Sequence, residues 1–390
     1  METRWKLLVA ACSLSVVTAC SENTDVTQNE EGAATGSDNG LQAVNGLNTY
    51  NGLNVYNGLN TYNGLTSYNG LMSTAGGRMT VSYLVRCALP VGKKITKQDA
   101  NNNWYTYAGA IGLAPQWETG ACDSSCQEAI SACMMAHINT SGVHIPLWLD
   151  SPMTAIGWGT NAQYPNREGT FFGNLFTPNS AGTLDAFYCN GPGFDKDTVP
   201  GRLGVAQGNV PYSNPYINSV NTVGDCRACG STTTDGPSTC PVATKTFRSP
   251  ITVYRGQTFQ GENATTKGGT VVNCSSCSQG KRLSAIKSIT KITGVYAATT
   301  GSHVVIVYYT NGDSVSHTMQ VDAESDSQSG STYTAQVTVS PFVSFPPTGG
   351  WDKVNSILLT PSGFYAGTTN SIKFTPGTGG APDLDWIEIE

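Results

Sequence analysis

Alternation of apolar and polar residues is strongest in the last third of the chain and predicts short β-strands there. The runs with this pattern are Val304–Tyr309, Tyr333–Val339, Ser356–Leu359 and Ser371–Phe374. Turn-forming sequences such as Asn311-Gly312-Asp313 separate them. Short strands at this spacing predict a β-sandwich or jelly roll, and we assign residues 246–390 to it.

The preceding region, residues 77–245, is less regular and predicts a mixed α+β domain. The apolar run Val81–Cys87 predicts a strand. One helix is predicted from Ser124, which forms a capping box with Gln127, and its apolar spacing continues until Gly142. His137 comes late in this helix, where a protonated imidazole would complement the helix dipole.

The first twenty residues have the pattern of an export signal. Arg4 and Lys6 precede the apolar stretch 7–17, which is too short to span a bilayer. The stretch ends in Val17-Thr18-Ala19-Cys20, which resembles a bacterial lipoprotein processing box. This resemblance implies removal of most of residues 1–20 as a signal peptide, lipidation of Cys20 and anchoring at the outer membrane or cell surface of a bacterium. An ordinary secretory signal with a chance cysteine is the alternative.

Residues 39–74 contain six hexapeptides that begin with Asn-Gly-Leu. They start at Asn39, Asn45, Asn51, Asn57, Asn63 and Asn69. Asn-Gly favours turns, so a short β-solenoid is conceivable, but six hexads would form only about two coils. We therefore favour a flexible tether and assign residues 21–76 to an acidic spacer followed by repeats.

Most of the net negative charge of the chain lies near its N-terminus. The chain has 21 Lys+Arg and 27 Asp+Glu, a formal net charge of -6. Five of the acidic residues lie within residues 21–76, which hold no Lys or Arg, so the rest of the chain is nearly neutral. A chain without a basic surface is not expected to bind nucleic acid.

Cysteine usage predicts disulfides. Of 12 Cys, removal of Cys12 and Cys20 leaves an even ten. The spacing of Cys226, Cys229 and Cys240 raises the possibility of zinc, but a zinc ribbon needs a second pair or histidine partners that the sequence lacks. An exported chain favours disulfides, including a tight one between Cys274 and Cys277, and the pairing of the other eight stays open.

Catalytic motifs do not stand out in residues 77–245. The region has no nucleophile elbow, zinc-protease helix or phosphate-binding loop. Four carboxylates, Glu118, Asp150, Glu168 and Asp185, could supply a glycosidase pair, but their spacing selects no two of them.

Five sequence stretches in residues 246–390 resemble carbohydrate-binding modules of families 6 and 35. The stretches are Gly261–Thr265 followed by Gly268-Gly269, Cys274–Lys281, Val343–Asp352, Asn370–Phe374 and Ala381–Ile389. They occur in family order. The segments Tyr83–Pro90 and Arg167–Phe176 resemble uncharacterised lipoproteins of myxobacteria, which implies an origin and no chemistry.

The module resemblance implies a structural calcium and a sugar site. Gln260, Glu262 and Asp385 match the calcium ligand positions, and oxygen ligands of this kind are those that calcium prefers. Trp351 matches a family aromatic that stacks on sugar, and Asp383 matches a hydrogen-bonding position. The sequence departs from the family at Ala285, where a tyrosine is common, so Tyr308, Tyr309 or another loop would have to replace that aromatic.

These observations predict a mainly β, lipid-anchored surface protein that binds polysaccharide through a calcium-stabilised C-terminal module. The alternative is a glycan or cell-wall hydrolase in which residues 77–245 are catalytic and the module targets the enzyme. A third hypothesis is a structural or adhesive matrix protein whose repeats mediate assembly.

Overall fold

The computed structural model describes residues 35–39, 41–42, 59, 70–139, 145–180, 184–190, 221–230, 236–325 and 341–390. The lipidation site Cys20 and the predicted strand Tyr333–Val339 lie outside the described residues, as do most of the hexapeptides. Neither described helix is long and apolar enough to cross a bilayer.

Twelve strands and two helices form the disulfide-rich region, which extends to Arg255. The strands are β1 (Thr35–Asn39), β2 (Leu41–Gln42), β3 (Lys94–Gln98), β4 (Trp104–Ala108), β5 (Ile138–Asn139), β6 (Ile145–Asp150), β7 (Asn166–Asn174), β8 (Asp185–Asn190), β9 (Asn221–Asp225), β10 (Cys240–Val242), β11 (Lys245–Phe247) and β12 (Ile251–Arg255). The helices are α1 (Ala75–Ala88) and α2 (Ser124–Ala136). Six of the strands form one sheet in the order β1-β6-β12-β7-β8-β9.

The predicted strand Val81–Cys87 is wrong, because these residues lie in α1. Val81, Leu84 and Val85 are buried and follow a helical spacing, with Ala88 one turn further on. The helix begins after Thr74, whose side-chain oxygen accepts a hydrogen bond from the Gly77 N–H at 3.0 Å. Burial of one helical face therefore outweighs the strand preference of the two valines.

The predicted helix at Ser124 is present as α2, but its cap and its end differ from the prediction. Asp123 is the N-cap, and its carboxylate accepts a hydrogen bond from the Cys126 N–H at 2.9 Å, which helps to lower the pKa of Asp123. Gln127 instead donates to the Cys122 carbonyl at 2.9 Å. The helix ends at Ala136, and Nδ1 of His137 lies 2.7 Å from the Cys133 carbonyl.

Five disulfides join the ten cysteines of the described residues. The pairs are Cys87–Cys133, Cys122–Cys126, Cys189–Cys226, Cys229–Cys240 and Cys274–Cys277. The first links α1 to α2. Cys226 and Cys229 belong to different disulfides, so their sulfurs are not thiolates that could hold zinc.

Another twelve strands form the C-terminal β-sandwich, which confirms the predicted fold class. They are β13 (Gln257–Gln260), β14 (Thr270–Asn273), β15 (Lys281–Ser284), β16 (Thr290–Ala297), β17 (Gly301–Ser302), β18 (Val305–Thr310), β19 (His317–Ser325), β20 (Val343–Phe345), β21 (Asn355–Leu359), β22 (Ser362–Phe364), β23 (Gly367–Pro376) and β24 (Asp383–Ile389). One sheet has the order β14-β15-β24-β18-β21, with β13 also on β24, and the other has the order β16-β23-β19-β20. Buried side chains of both sheets, including Val307 and Phe374, form one core between them.

The chain passes from one sheet to the other at Gly256. Strand β12 lies between β6 and β7 in the sheet of the disulfide-rich region. The domain boundary that we placed at 245/246 from the sequence therefore precedes this passage. Strand β13 starts one residue later and pairs with β24 of the sandwich. A Cβ atom at Gly256 would lie 1.9 Å from the Ile389 carbonyl oxygen, so only glycine fits this crossing without a shift of backbone.

A buried charge cluster surrounds the crossing. The Arg255 guanidinium lies 2.8 Å from Glu388, 2.8 Å from Glu390 and 3.7 Å from Glu168, and all four side chains are buried. Glu168 belongs to β7 and Glu388 to β24, so one arginine joins the two parts of the molecule. Three carboxylates exceed the single positive charge, and a buried excess of negative charge favours uptake of a proton.

We predict that this cluster makes stability depend on pH. Burial, followed by the charge of Glu390, raises the pKa of Glu388 well above its ordinary 4.5, although Arg255 opposes the shift. The folded chain therefore holds a proton that the unfolded chain releases above about pH 4.5, so the free energy of unfolding should fall as pH rises. Denaturation at several pH values checks this, with Glu388→Gln reducing the fall.

The matched control for this experiment is Glu118→Gln. Glu118 pairs with the half-exposed Lys93 at 3.0 Å, so its replacement should leave the pH dependence unchanged. If the stability of the wild type and that of the Glu388→Gln variant depended on pH in the same way, the cluster would not hold this proton.

Candidate functional site

The loops at one end of the sandwich hold the exposed indole of Trp351. This side chain is 38% exposed, follows β20 and packs against the backbone of Gly312. A Cβ atom on Gly312 would lie 2.3 Å from the indole ring, so the ring can lie here only because residue 312 lacks a side chain. The guanidinium carbon of Arg282 lies 5.9 Å from the ring centroid, within reach of a cation–π interaction.

The loop beneath Trp351 is fixed by the buried side chain of Asn311. Its amide nitrogen donates to the carbonyls of Val315 at 2.9 Å and Phe345 at 3.0 Å. Its backbone N–H donates to Oγ1 of Thr348 at 3.1 Å, and its carbonyl accepts from the Thr348 N–H at 2.8 Å. Two loops are thereby joined to each other, and the indole is held in place before any ligand arrives.

Asp383, which the family resemblance places in the sugar site, holds Arg282. It is 2% exposed; one carboxylate oxygen accepts from Nε of Arg282 at 2.7 Å and the other from the Ala285 N–H at 3.0 Å. Nη1 of Arg282 is buried, has no hydrogen-bond partner among the described residues and lies 3.9 Å from Oδ1 of Asp352. Arg282 therefore adds a positive charge beside the indole, a role that its position in a strand did not reveal in the sequence.

The second aromatic wall expected from the family does not come from Tyr308 or Tyr309. Ala285 is exposed at the position where a tyrosine is common. Tyr309 is buried, and its hydroxyl donates to the Pro346 carbonyl at 3.2 Å. Tyr308 stacks on Trp386, with the ring centroids 3.9 Å apart. Within the described residues the site therefore has one aromatic face, that of Trp351.

Two of the predicted metal ligands, Gln260 and Asp385, contact Ser278, and the third, Glu262, lies in the 3-10 turn Gly261–Asn263 directly after β13. Gln260 donates to Oγ of Ser278 at 3.0 Å, and the Ser278 N–H lies 3.0 and 3.2 Å from the two oxygens of Asp385. Asp385 is the extra residue of a β-bulge, since Tyr309 pairs with Leu384 and Tyr308 with Trp386. The bulge turns Asp385 out of the alternation of β24.

Two oxygens in this group fit a hard cation. Oε1 of Gln260 and Oε2 of Glu262 are buried and have no hydrogen-bond partner in the described part of the chain. Burial is the main cause of the raised pKa of Glu262. Buried oxygen atoms without donors are costly, and a bound cation would remove that cost.

The four carboxylates considered for hydrolysis are each held by a different structural partner. Glu118 pairs with Lys93 at 3.0 Å, Glu168 lies beside Arg255, and Asp185 pairs with Lys245 at 2.5 Å. Asp150 is buried and accepts a hydrogen bond from the Gly159 N–H at 3.0 Å. Each of these contacts ties a carboxylate to a neighbouring loop or strand.

No protein-family model matches the chain, and no curated protein does. Among solved structures, the chain is similar to an exo-beta-1,3-galactanase from Phanerochaete chrysosporium with beta-1,3-galactotriose, at 28% identity and a TM-score of 0.29, over 36% of this chain and 30% of that one. It is also similar to a family 35 carbohydrate binding module from Clostridium thermocellum, at 18% identity and a TM-score of 0.29, over 34% of this chain and 95% of that one.

A further similar structure is a family 35 module from Cellvibrio japonicus, at 16% identity and a TM-score of 0.27, over 34% of this chain and 93% of that one. These modules are of the kind that the C-terminal sequence motifs resemble. The chain spans 30% of the length of the galactanase. What the present chain binds must therefore be argued from its own residues.

We predict that Asp383 matters for stability much more than its neighbour Asp352. Asp383→Asn leaves the buried Arg282 without its charged partner and should lower the free energy of unfolding by about 3–5 kcal/mol. The side chain of Asp352 is 77% exposed and 3.9 Å from Arg282, so Asp352→Asn should cost at most about 1 kcal/mol. Urea denaturation of the two variants checks this, and equal losses would contradict it.

Proposed function

We propose that the sandwich binds polysaccharide through the loop site of Trp351. The observation that carries the proposal is a half-exposed indole, seated on Gly312, beside the buried guanidinium of Arg282. The apolar C–H face of a pyranose ring suits the exposed face of the indole, and the positive charge of Arg282 lies behind that ring. The modules to which the chain is similar are named for carbohydrate binding. This geometry favours the same function.

The proposal includes export and a lipid anchor on Cys20. Five disulfides within one chain support an oxidising compartment, as expected after export. The anchor itself rests on the processing box that ends in Cys20. An anchored module with one aromatic face would bind a single sugar weakly, and many copies on one surface would bind a polymer more strongly.

The proposal also includes a structural calcium held by Gln260, Glu262 and Asp385. The buried oxygens of Gln260 and Glu262 support it, and calcium takes six to eight oxygen ligands of this type. The ion would join the end of β13 and the 3-10 turn that follows it to strand β24. Its role is to stabilise the sandwich, and no step of sugar binding is assigned to it.

We predict that Trp351→Ala abolishes glycan binding, and that Gly312→Ala weakens it severely by displacing the indole. Loss of one stacking aromatic from a weak site with a single aromatic face should reduce affinity at least about tenfold. Glycan arrays followed by calorimetry on the purified chain measure this. Trp104→Ala is the matched control, because Trp104 is 67% exposed on the β4 hairpin, in the disulfide-rich region.

Equal binding by the wild type and Trp351→Ala would sink the proposed site. Equal loss in Trp351→Ala and Trp104→Ala would show that the effect is not specific to the sandwich. Melting temperatures of all variants distinguish a lost contact from a lost fold.

We predict that calcium raises the melting temperature of the wild type, and that Glu262→Gln removes most of this effect. The glutamine keeps an oxygen but loses the charge on which a divalent cation depends. Burial raises the pKa of Glu262, so the stabilisation by calcium should weaken as pH falls and a proton competes for this carboxylate. Calorimetric scans with calcium, magnesium and chelator measure the effect.

Glu324→Gln is the control for the calcium experiment. Glu324 lies in β19 of the other sheet and pairs with Lys373 and Lys291, which hold its pKa low despite burial. Its replacement should leave the response to calcium intact. A chelator that changes no melting temperature would argue against calcium and leave the sugar site of Trp351 untouched.

A further inference from the structure

Leu59 is a residue of the repeat segment, and it is wholly buried in the disulfide-rich region. Its side chain is 0% exposed and packs in the same core as Trp117. Its backbone N–H donates to the Trp117 carbonyl at 2.7 Å. Trp117 is itself buried in the 3-10 turn Pro115–Glu118. An apolar anchor together with a main-chain hydrogen bond is how protein surfaces hold extended peptides.

Two other hexapeptides have their leucine within a described element of this region. Leu41 lies in β2, which pairs with β5. Leu71 is buried in the 3-10 turn directly before α1. Leu71 is fixed by its covalent link to the helix, whereas Leu59 is eleven residues away from the nearest described residue, Gly70.

The sequence of the hexapeptide that carries Leu59 is repeated in the chain. Residues 57–62 read Asn-Gly-Leu-Asn-Thr-Tyr, and residues 45–50 read the same. Residues 51–56 differ only by Val55 in place of Thr. The contacts of Leu59, a buried leucine and a backbone N–H, are available in every one of these copies. A seat of this kind has no chemical means to prefer one identical copy over another.

We propose that the position of Leu59 beside Trp117, the hexapeptide seat, is a binding site for any Asn-Gly-Leu hexapeptide, and that a hexapeptide from a second copy of this chain occupies it when chains are concentrated. The exchanged peptide makes the same contacts as the original, so only effective concentration favours the chain's own copy. Exchange of an identical element between copies is a low-cost route to assembly.

A flexible tether needs no specific contact with the folded protein, whereas the hexapeptide seat binds one repeat directly. A chain with several equivalent peptides and one seat can donate a peptide to one neighbour and accept one from another. Head-to-tail donation of this kind produces open chains or rings of molecules, and reciprocal exchange between two copies produces a closed dimer. The partner is another copy of this protein, and the inference is independent of sugar binding.

The experiment uses the purified chain and an acetylated Asn-Gly-Leu-Asn-Thr-Tyr peptide as probe. A quadruple variant, with Leu47, Leu53, Leu59 and Leu65 replaced by Ala, should melt at least about 4 °C below the wild type. The peptide at millimolar concentration should restore much of that loss. The same peptide with alanine for leucine should restore nothing. A quadruple variant that does not respond to the leucine peptide overturns the proposal.

Leu71→Ala is the matched control, because no other hexapeptide can replace a residue attached to α1. Its loss of melting temperature should be insensitive to the peptide. Leu59→Ala alone should lose less than the quadruple variant, since other copies take over the seat. Equal losses for the single and the quadruple variant would show that the seat accepts Leu59 only.

Sedimentation of the wild type over a range of concentrations tests exchange between copies and does not depend on whether a variant folds. Assemblies should grow with concentration and dissociate when the leucine peptide is added in excess, while the alanine peptide leaves them intact. A wild-type chain that stays monomeric at the highest attainable concentration, or assemblies that ignore the peptide, would overturn the exchange.

Discussion

Arg255 is buried where the chain passes from the sheet of the disulfide-rich region into the sandwich, and three carboxylates share its charge. A guanidinium without partners would not remain in such a place, because desolvation of an isolated charge is far too costly. Glu168 approaches from one part of the molecule and Glu388 with Glu390 from the other. The pairing thus requires both parts to be in place, and the close approach at Gly256 brings them there.

The rigidity of the sandwich explains how a single exposed tryptophan could serve as a binding surface. Trp351 lies in a loop, yet the loop is joined to its neighbour by Asn311 and Thr348 and rests on Gly312. Arg282 is held in turn by Asp383 from the central strand β24. Site groups held this firmly lose little conformational freedom on binding, so more of the contact energy appears as affinity.

Much of the fold follows from local sequence. Periodicity, helix caps and the cysteine count predict the alternating strands of the sandwich, the helix at Ser124 and the presence of disulfides. The prediction of a strand at Val81–Cys87 is wrong because two valines favour a strand locally, whereas the burial of one face against the core makes the run helical. The sequence does not predict which cysteines pair, because the pairing depends on which elements lie side by side in the fold.

The chemical groups of the site follow from the amino-acid sequence: an aromatic in a glycine-rich loop, acidic residues, and six equivalent leucines. The role of each residue depends on the folded structure. Asp383 is turned inward to Arg282, Tyr309 is buried, and Leu59 enters the core beside Trp117. The reason is that a side chain's role depends on the partners it meets across strands and domains, and those contacts join residues far apart in the chain.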